Sequence, residues 1–244
     1  MFQTEQLVFL CMLLTVIVSG NTLVLITQLS PRTRRSRMNF FIMHLALADL
    51  SVGLLSVSTD IVWKVTMTWE AGLLACKMIR FLQVVVTYAS TYVLVALSID
   101  RYDAITHPMA FTGSCKWIYH PPSFPPLRRT GLILSFHLSG RRAKWLVASA
   151  WVLSIAFSVP IIFMYHLAVP ENAPEFGLQC WIDFGAAWQW KLYMSLVATS
   201  LFFIPAVIIA SCYAVIVITI WRKGQTMQAP KVTQSLLPRG KCRS

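Results

Sequence analysis

The residues of this chain able to do chemistry are charged or hydrogen-bonding side chains set into long apolar runs. Asp100-Arg101-Tyr102 closes the run CKMIRFLQVVVTYASTYVLVALSI, which Cys76 opens. A carboxylate and a guanidinium side by side at the end of such a run form a charge pair at a membrane boundary. The pair suits plain anchoring at the headgroups, or a switch between two arrangements. Asp49 lies inside another apolar run, where an ionised carboxylate facing lipid would cost about 3 kcal/mol or more, so it must face other helices. Arg80 and Gln83 are three apart and share a helix face. With Asp60 they offer polar groups that could orient a ligand in an apolar wall. Arg80 equally reads as a cation snorkelling to the interface, and Trp181, beside Cys180, as either a lid over a ligand or an interfacial aromatic.

Nothing in the chain points to catalysis. His44, His107, His120, His137 and His166 are scattered without metal-ligand spacing, and neither a Gly-rich phosphate loop nor a nucleophile with a base is present. A lone serine in an apolar run serves helix packing more often than attack.

The elements that must position these residues follow from hydropathy. Of 244 residues, 57% are hydrophobic and 12% charged, and the mean hydropathy is +0.64. These values describe a polytopic, all-α membrane protein. The net charge of +12 comes from Lys and Arg clustered between apolar runs. That is a topology signal, and it removes nucleic acid as a partner.

Spans are expected at 7–29, 39–65, 76–102, 145–165 and 190–221. The third span is about 40 Å long at ~1.5 Å per residue, enough to cross tilted. Arg32, Arg34, Arg35 and Arg37 make the first loop cytoplasmic, which places the N-terminus outside in a multi-pass plasma-membrane topology. The loop before Lys191 carries Glu171, Glu175 and Asp183 but no cation after span four, as an outer loop should. Pro205 is expected to kink the fifth span, and Arg222-Lys223 mark its inner end. Met1 to Leu29 lacks the basic start of a secretory signal and reads as a span. The bundle is thus expected over 1–223, followed by a disordered cytoplasmic tail, 224–244, with Pro230 and Pro238. Sorted by compartment, Cys76 and Cys180 are the cysteines that fall outside, so they are expected to pair, with Cys11 and Cys212 left free in the membrane.

Together, Gly20-Asn21, Leu45-Ala46-Leu47-Ala48-Asp49, Asp100-Arg101-Tyr102, Trp151, and Pro205 with Tyr213, in this order and on these spans, resemble the rhodopsin-like G-protein-coupled receptors. More narrowly, RMNFFIMHLALADL, QVVVTYASTYVLVALSIDRYDAITHPM and LQCWIDFG resemble the arthropod crustacean cardioactive peptide receptors, relatives of the neuropeptide S and vasopressin receptors. The resemblance implies an incomplete seven-transmembrane bundle with spans one to five. It implies an amidated, disulfide-closed neuropeptide as ligand, and a heterotrimeric G protein inside. Asp100 would hold Arg101 at rest and release it on activation, with Tyr102 and Tyr213 in the same switch and Pro108-Met109 docking to the G protein. Arg80 and Gln83 match positions that hold peptide in vasopressin-like receptors. Asn21, Asp49 and Ser90 would form a polar core, Asp49 and Ser90 serving as hard oxygen ligands of an allosteric sodium ion, with no other cofactor. The rival expectation is a truncated chain that does not signal and at most modulates full-length receptor.

The resemblance breaks after Ser114. The segment 115–139 contains Pro121, Pro122, Pro125 and Pro126, where the family joins a short loop directly to the next span. Cys115-Lys116 can be encoded with a splice donor and Ser139-Gly140 with an acceptor, so that excision would rejoin the frame. The segment therefore reads as a translated intron, expected to lack a packed conformation because clustered prolines oppose helix. A genuine long loop is the plainer alternative.

Overall fold

The structure is a computed structural model. It describes residues 2–29, 37–106, 128–169, 174 and 177–228, with side chains described for 4–29, 37–106, 141–169, 174 and 177–225. The protein is an all-α membrane protein, with five helices among the described residues long and apolar enough to cross a membrane. They are α1 (Phe2–Leu29), α2 (Arg37–Thr66), α3 (Gly72–Thr106), α4 (Arg128–Met164) and α5 (Ala187–Gln228). Between α4 and α5 lies an antiparallel hairpin of β1 (Tyr165–Ala168) and β2 (Gln179–Ile182), in the register Leu167 to Cys180 and His166 to Trp181. The apolar periodicity did not reveal this hairpin, because strands of four residues are too short to show an alternation.

α3 is the central helix and packs against α2, α4 and α5. Its small residues allow this: Ala89 and Val93 are fully buried, and Ala96 nearly so. Phe41 of α2 inserts between Ala96 of α3 and Ala143 and Val147 of α4, with Trp151 packed around them. The helices otherwise expose large apolar side chains, including Phe9, Val16, Phe163, Phe202 and Trp221. Such a surface would aggregate in water and is satisfied by lipid. Gly53 marks a close approach of α1 and α2, since a Cβ there would lie 2.8 Å from Cγ2 of Ile17.

Among the described residues, two helices carry a π turn. In α2 it covers Val52–Val57, and the Ser58 N–H reaches back to the Gly53 carbonyl. In α5 it covers Thr199–Phe203, just before Pro205, and the Ile204 N–H bonds the Thr199 carbonyl. A proline that supplies no N–H and crowds the preceding turn is a direct cause of such a bulge. The bulge in α5 lies just before Pro205, where the span is expected to kink.

Two described stretches differ from what proline and polar composition suggest. Arg128–Ser139, within the segment expected to lack a packed conformation, is helical backbone. The clustered prolines end at Pro126, and none follows until Pro160, so backbone chemistry does not stop a helix there. Residues 107–127, with Pro108 and Met109, lie outside the described residues. The tail expected to be disordered from Gly224 continues as helix to Gln228, beyond which the chain is again outside them.

Candidate functional site

The hairpin end of the bundle is built on covalent and polar ties. Cys76, in the first turns of α3, is disulfide-bonded to Cys180 of β2 with Cα atoms 5.6 Å apart, an ordinary separation for the bond. Both cysteines are buried with Trp69. Gln179 fastens the same strand to α2: its amide accepts from the Trp63 indole N–H at 2.7 Å and donates to the Met67 carbonyl at 2.6 Å. Met67 adopts a left-handed conformation (φ 63°) that ends α2 with its N–H on the Trp63 carbonyl. The hairpin is thereby fixed to two helices at once. Cys11 and Cys212 are free, as expected.

Beneath the hairpin, a cavity of about 760 Å³ opens between α2, α3, α4 and α5. Asp60, Arg80 and Gln83 all line it, in walls made mostly of residues such as Phe157, Leu192 and Leu196. The Arg80 guanidinium donates to the Gln83 side-chain oxygen at 3.0 Å and lies over the rings of Trp63 and Tyr165, at 4.6 and 5.6 Å from their centroids. Asp60 is 3.9 Å away, at the outer limit of an ion pair. Gln83 in turn donates to the Leu55 carbonyl at 3.3 Å, within the π turn of α2. These contacts fix the head of Arg80 over the cavity rather than letting it reach out to an interface. Trp181 does not line this cavity. It is 43% exposed and lines a neighbouring pocket of about 440 Å³, which shares Arg80, Asp183 and Phe184 with the first.

Tyr88 lines the cavity and, with Tyr92 one turn further along α3, forms a ring pair that the sequence does not single out. Tyr88 and Ser200 share a hydroxyl hydrogen bond at 2.7 Å, and Tyr92 donates to the Ser200 carbonyl at 3.1 Å. Phe157 of α4 stacks on Tyr88. Lower down, the Ser90 hydroxyl donates to a carboxylate oxygen of Asp49, so these two come together as expected. Asn21 does not join them, for its amide donates to the Ile17 carbonyl of its own helix at 3.0 Å. An Asn in mid-helix can satisfy itself locally, and here it does. Asp49 and Ser90 offer two hard oxygens side by side, which fits part of an alkali-cation donor set.

At the opposite end of α3, Asp100 is 0% exposed and bonds the Arg101 guanidinium at 2.5 Å. It also pairs with Arg37 from the first turn of α2. In the sequence Arg37 stands out only as part of a basic loop; the signal that marks it further is its place one turn before Phe41. Nearby, Arg142 of α4 holds Asp103 at 3.2 Å, and the Lys223 ammonium of α5 reaches the Ile105 carbonyl at 3.2 Å. Tyr102 is partly buried beside Arg101. Tyr213 is 45% exposed on α5 and makes no hydrogen bond among the described residues.

The family description "7 transmembrane receptor (rhodopsin family)" matches residues 20–116 and 133–237. The chain belongs to the rhodopsin family of seven-transmembrane receptors. The stretch between the two matched blocks falls within the segment that breaks the resemblance. Among rhodopsin-family receptors, the Neuropeptide S receptor of Mus musculus is 39% identical to this chain, over 92% of the chain and 53% of that receptor. The Vasopressin V1b receptor of Homo sapiens is 32% identical over 85% of the chain and 43% of that receptor. The Cephalotocin receptor 1 of Octopus vulgaris is 29% identical over 91% and 49%. The chain spans about half the length of these relatives.

Proposed function

We propose that this chain supplies the first five helices of a neuropeptide receptor of the cardioactive-peptide type. It would lie in the plasma membrane with its N-terminus and the β1–β2 hairpin outside. The carrying observation is the cavity under the disulfide-tethered hairpin, where the fixed Arg80 and Gln83 meet apolar walls. Apolar walls with few oriented polar groups suit an amidated, disulfide-closed peptide, whose backbone carbonyls and amides such groups can orient. Peptide binding would shift the helix population, release Arg101 from Asp100, and engage a heterotrimeric G protein at the other end. Asp49 and Ser90 would hold sodium as part of a larger oxygen set. A sodium-dependent rise in melting temperature that Asp49→Asn abolishes would support this, and no rise would remove it.

The test of the main reading is binding of labelled cardioactive peptide to membranes carrying the receptor that contains this sequence, together with peptide-driven nucleotide exchange. Neuropeptide S and vasopressin serve as competitors. Displacement by the cardioactive peptide at far lower concentration than by the others supports the assignment, and preference for another peptide replaces it. Expression of the 244 residues alone and beside full-length receptor checks the modulator reading. A fall in surface receptor on co-expression, with no exchange from the chain alone, would favour it.

A further inference from the structure

We propose that Arg37 is the standing counter-ion of Asp100, which leaves Arg101 as the partner able to move. The inference rests on the switch reading above and adds a positioning residue to it. The two carboxylate oxygens of the fully buried Asp100 are divided between two guanidiniums: Oδ1 pairs with Arg37 from α2, and Oδ2 with Arg101 of its own helix. Since each guanidinium holds a different oxygen, one can leave without dislodging the other. A buried carboxylate whose single partner departs is left charged in a water-poor site, a strongly destabilising arrangement. With two partners, Asp100 keeps one.

Which partner stays follows from how each is anchored. Arg37 lies one turn before Phe41, which is 0% exposed and wedged between Ala96 of α3 and Ala143 and Val147 of α4. The backbone that carries Arg37 is therefore held by the core itself. Arg101 holds the residue next to it in sequence, a contact that one rotamer change breaks, and its side chain is 29% exposed against 18% for Arg37. Arg142, another cation at this end, is engaged by Asp103 and does not compete for Asp100. Arg37 thus lowers the cost of freeing Arg101, and its removal should make Asp100 hold Arg101 more firmly.

The experiment measures ligand-free nucleotide exchange on a purified heterotrimer by the receptor carrying this sequence, with peptide affinity and surface amount measured alongside. Asp100→Asn should raise exchange by freeing Arg101. Arg37→Gln should lower it by about tenfold at unchanged peptide affinity and surface amount, while Arg37→Lys keeps most of it. The double variant with Asp100→Asn should return to the level of Asp100→Asn alone, because no carboxylate remains to be stranded. If Arg37→Gln fails to reach the surface, the double variant decides, and a level below that of Asp100→Asn alone overturns the proposal. Unchanged or raised exchange in Arg37→Gln also overturns it, as does a fall in exchange, affinity and surface amount together. An Asp100→Asn receptor with ordinary exchange defeats the switch reading itself, and this inference with it.

Discussion

Tyr92 of α3 donates its hydroxyl to the backbone carbonyl of Ser200 in α5 at 3.1 Å. That carbonyl has lost its own backbone donors. In a regular helix the Ile204 N–H would serve it, but the π turn sends this N–H to Thr199. The next residue, Pro205, has none to give. The tyrosine completes the backbone hydrogen bonding of α5 from another helix, and so fixes the height of α5 against α3 just below the cavity.

Tyr92→Phe should therefore cost about 1 to 2 kcal/mol, the penalty for leaving a shielded carbonyl unsatisfied. The loss should be visible as a lower melting temperature and faster amide exchange around Thr199–Phe203. Pro205→Ala restores an N–H to the chain, so the two changes together should cost less than their sum. Strict additivity in that double-mutant cycle would contradict the account.

Arg80→Lys should weaken peptide binding nearly as much as Arg80→Ala, by about ten- to a hundredfold. The ammonium cannot both lie flat over Trp63 and Tyr165 and reach Gln83. Asp60→Asn should cost less, since its 3.9 Å pair with Arg80 is loose. Competition binding on surface-expressed receptor ranks the three, and a tolerated Arg80→Lys would show that charge alone matters there.

Cys180→Ser should destabilise the receptor by about 2 to 5 kcal/mol. It should also release the hairpin from α3, abolishing peptide binding. Cys76→Ser should match it, and the double variant should be no worse than either. Non-reducing peptide mapping should recover Cys76 and Cys180 in one linked pair, while Cys11 and Cys212 react with a thiol reagent in detergent.

Gly53→Ala should lower the melting temperature, with a cost of about 1 to 3 kcal/mol for overpacking. The added methyl meets Ile17 at 2.8 Å, and Ile17→Val or Ile17→Ala in the same chain should recover part of the loss. A neutral Gly53→Ala would mean that α1 can retreat from α2.

For the segment 115–139, transcripts sequenced across the codons for Ser114 to Arg141 should include a shorter, in-frame form. If all mature messages keep the segment, it belongs to the protein, and the helix that begins at Arg128 is an extended approach to span four.

The sequence by itself determined the class of the protein and the places of its spans, because lipid enforces long apolar runs and the charges between them have nowhere else to go. It also determined the disulfide, since only two cysteines sort to one side, and the facing of Arg80 and Gln83, which lie a helical turn apart. Partnerships between helices were decided by the tertiary structure. Asn21 and Asp49 sit on spans that suggest a shared polar core, yet Asn21 is satisfied within its own helix and only Ser90 reaches Asp49. Trp181 adjoins the disulfide in sequence, but the register of β1 and β2 places it over the neighbouring pocket. Arg37 becomes a partner of Asp100, and Tyr92 of Ser200, through the rotation and height of each helix. Those are set by many small packing contacts, such as Phe41 against Ala96 and Ala143, whose sum no local pattern of residues records.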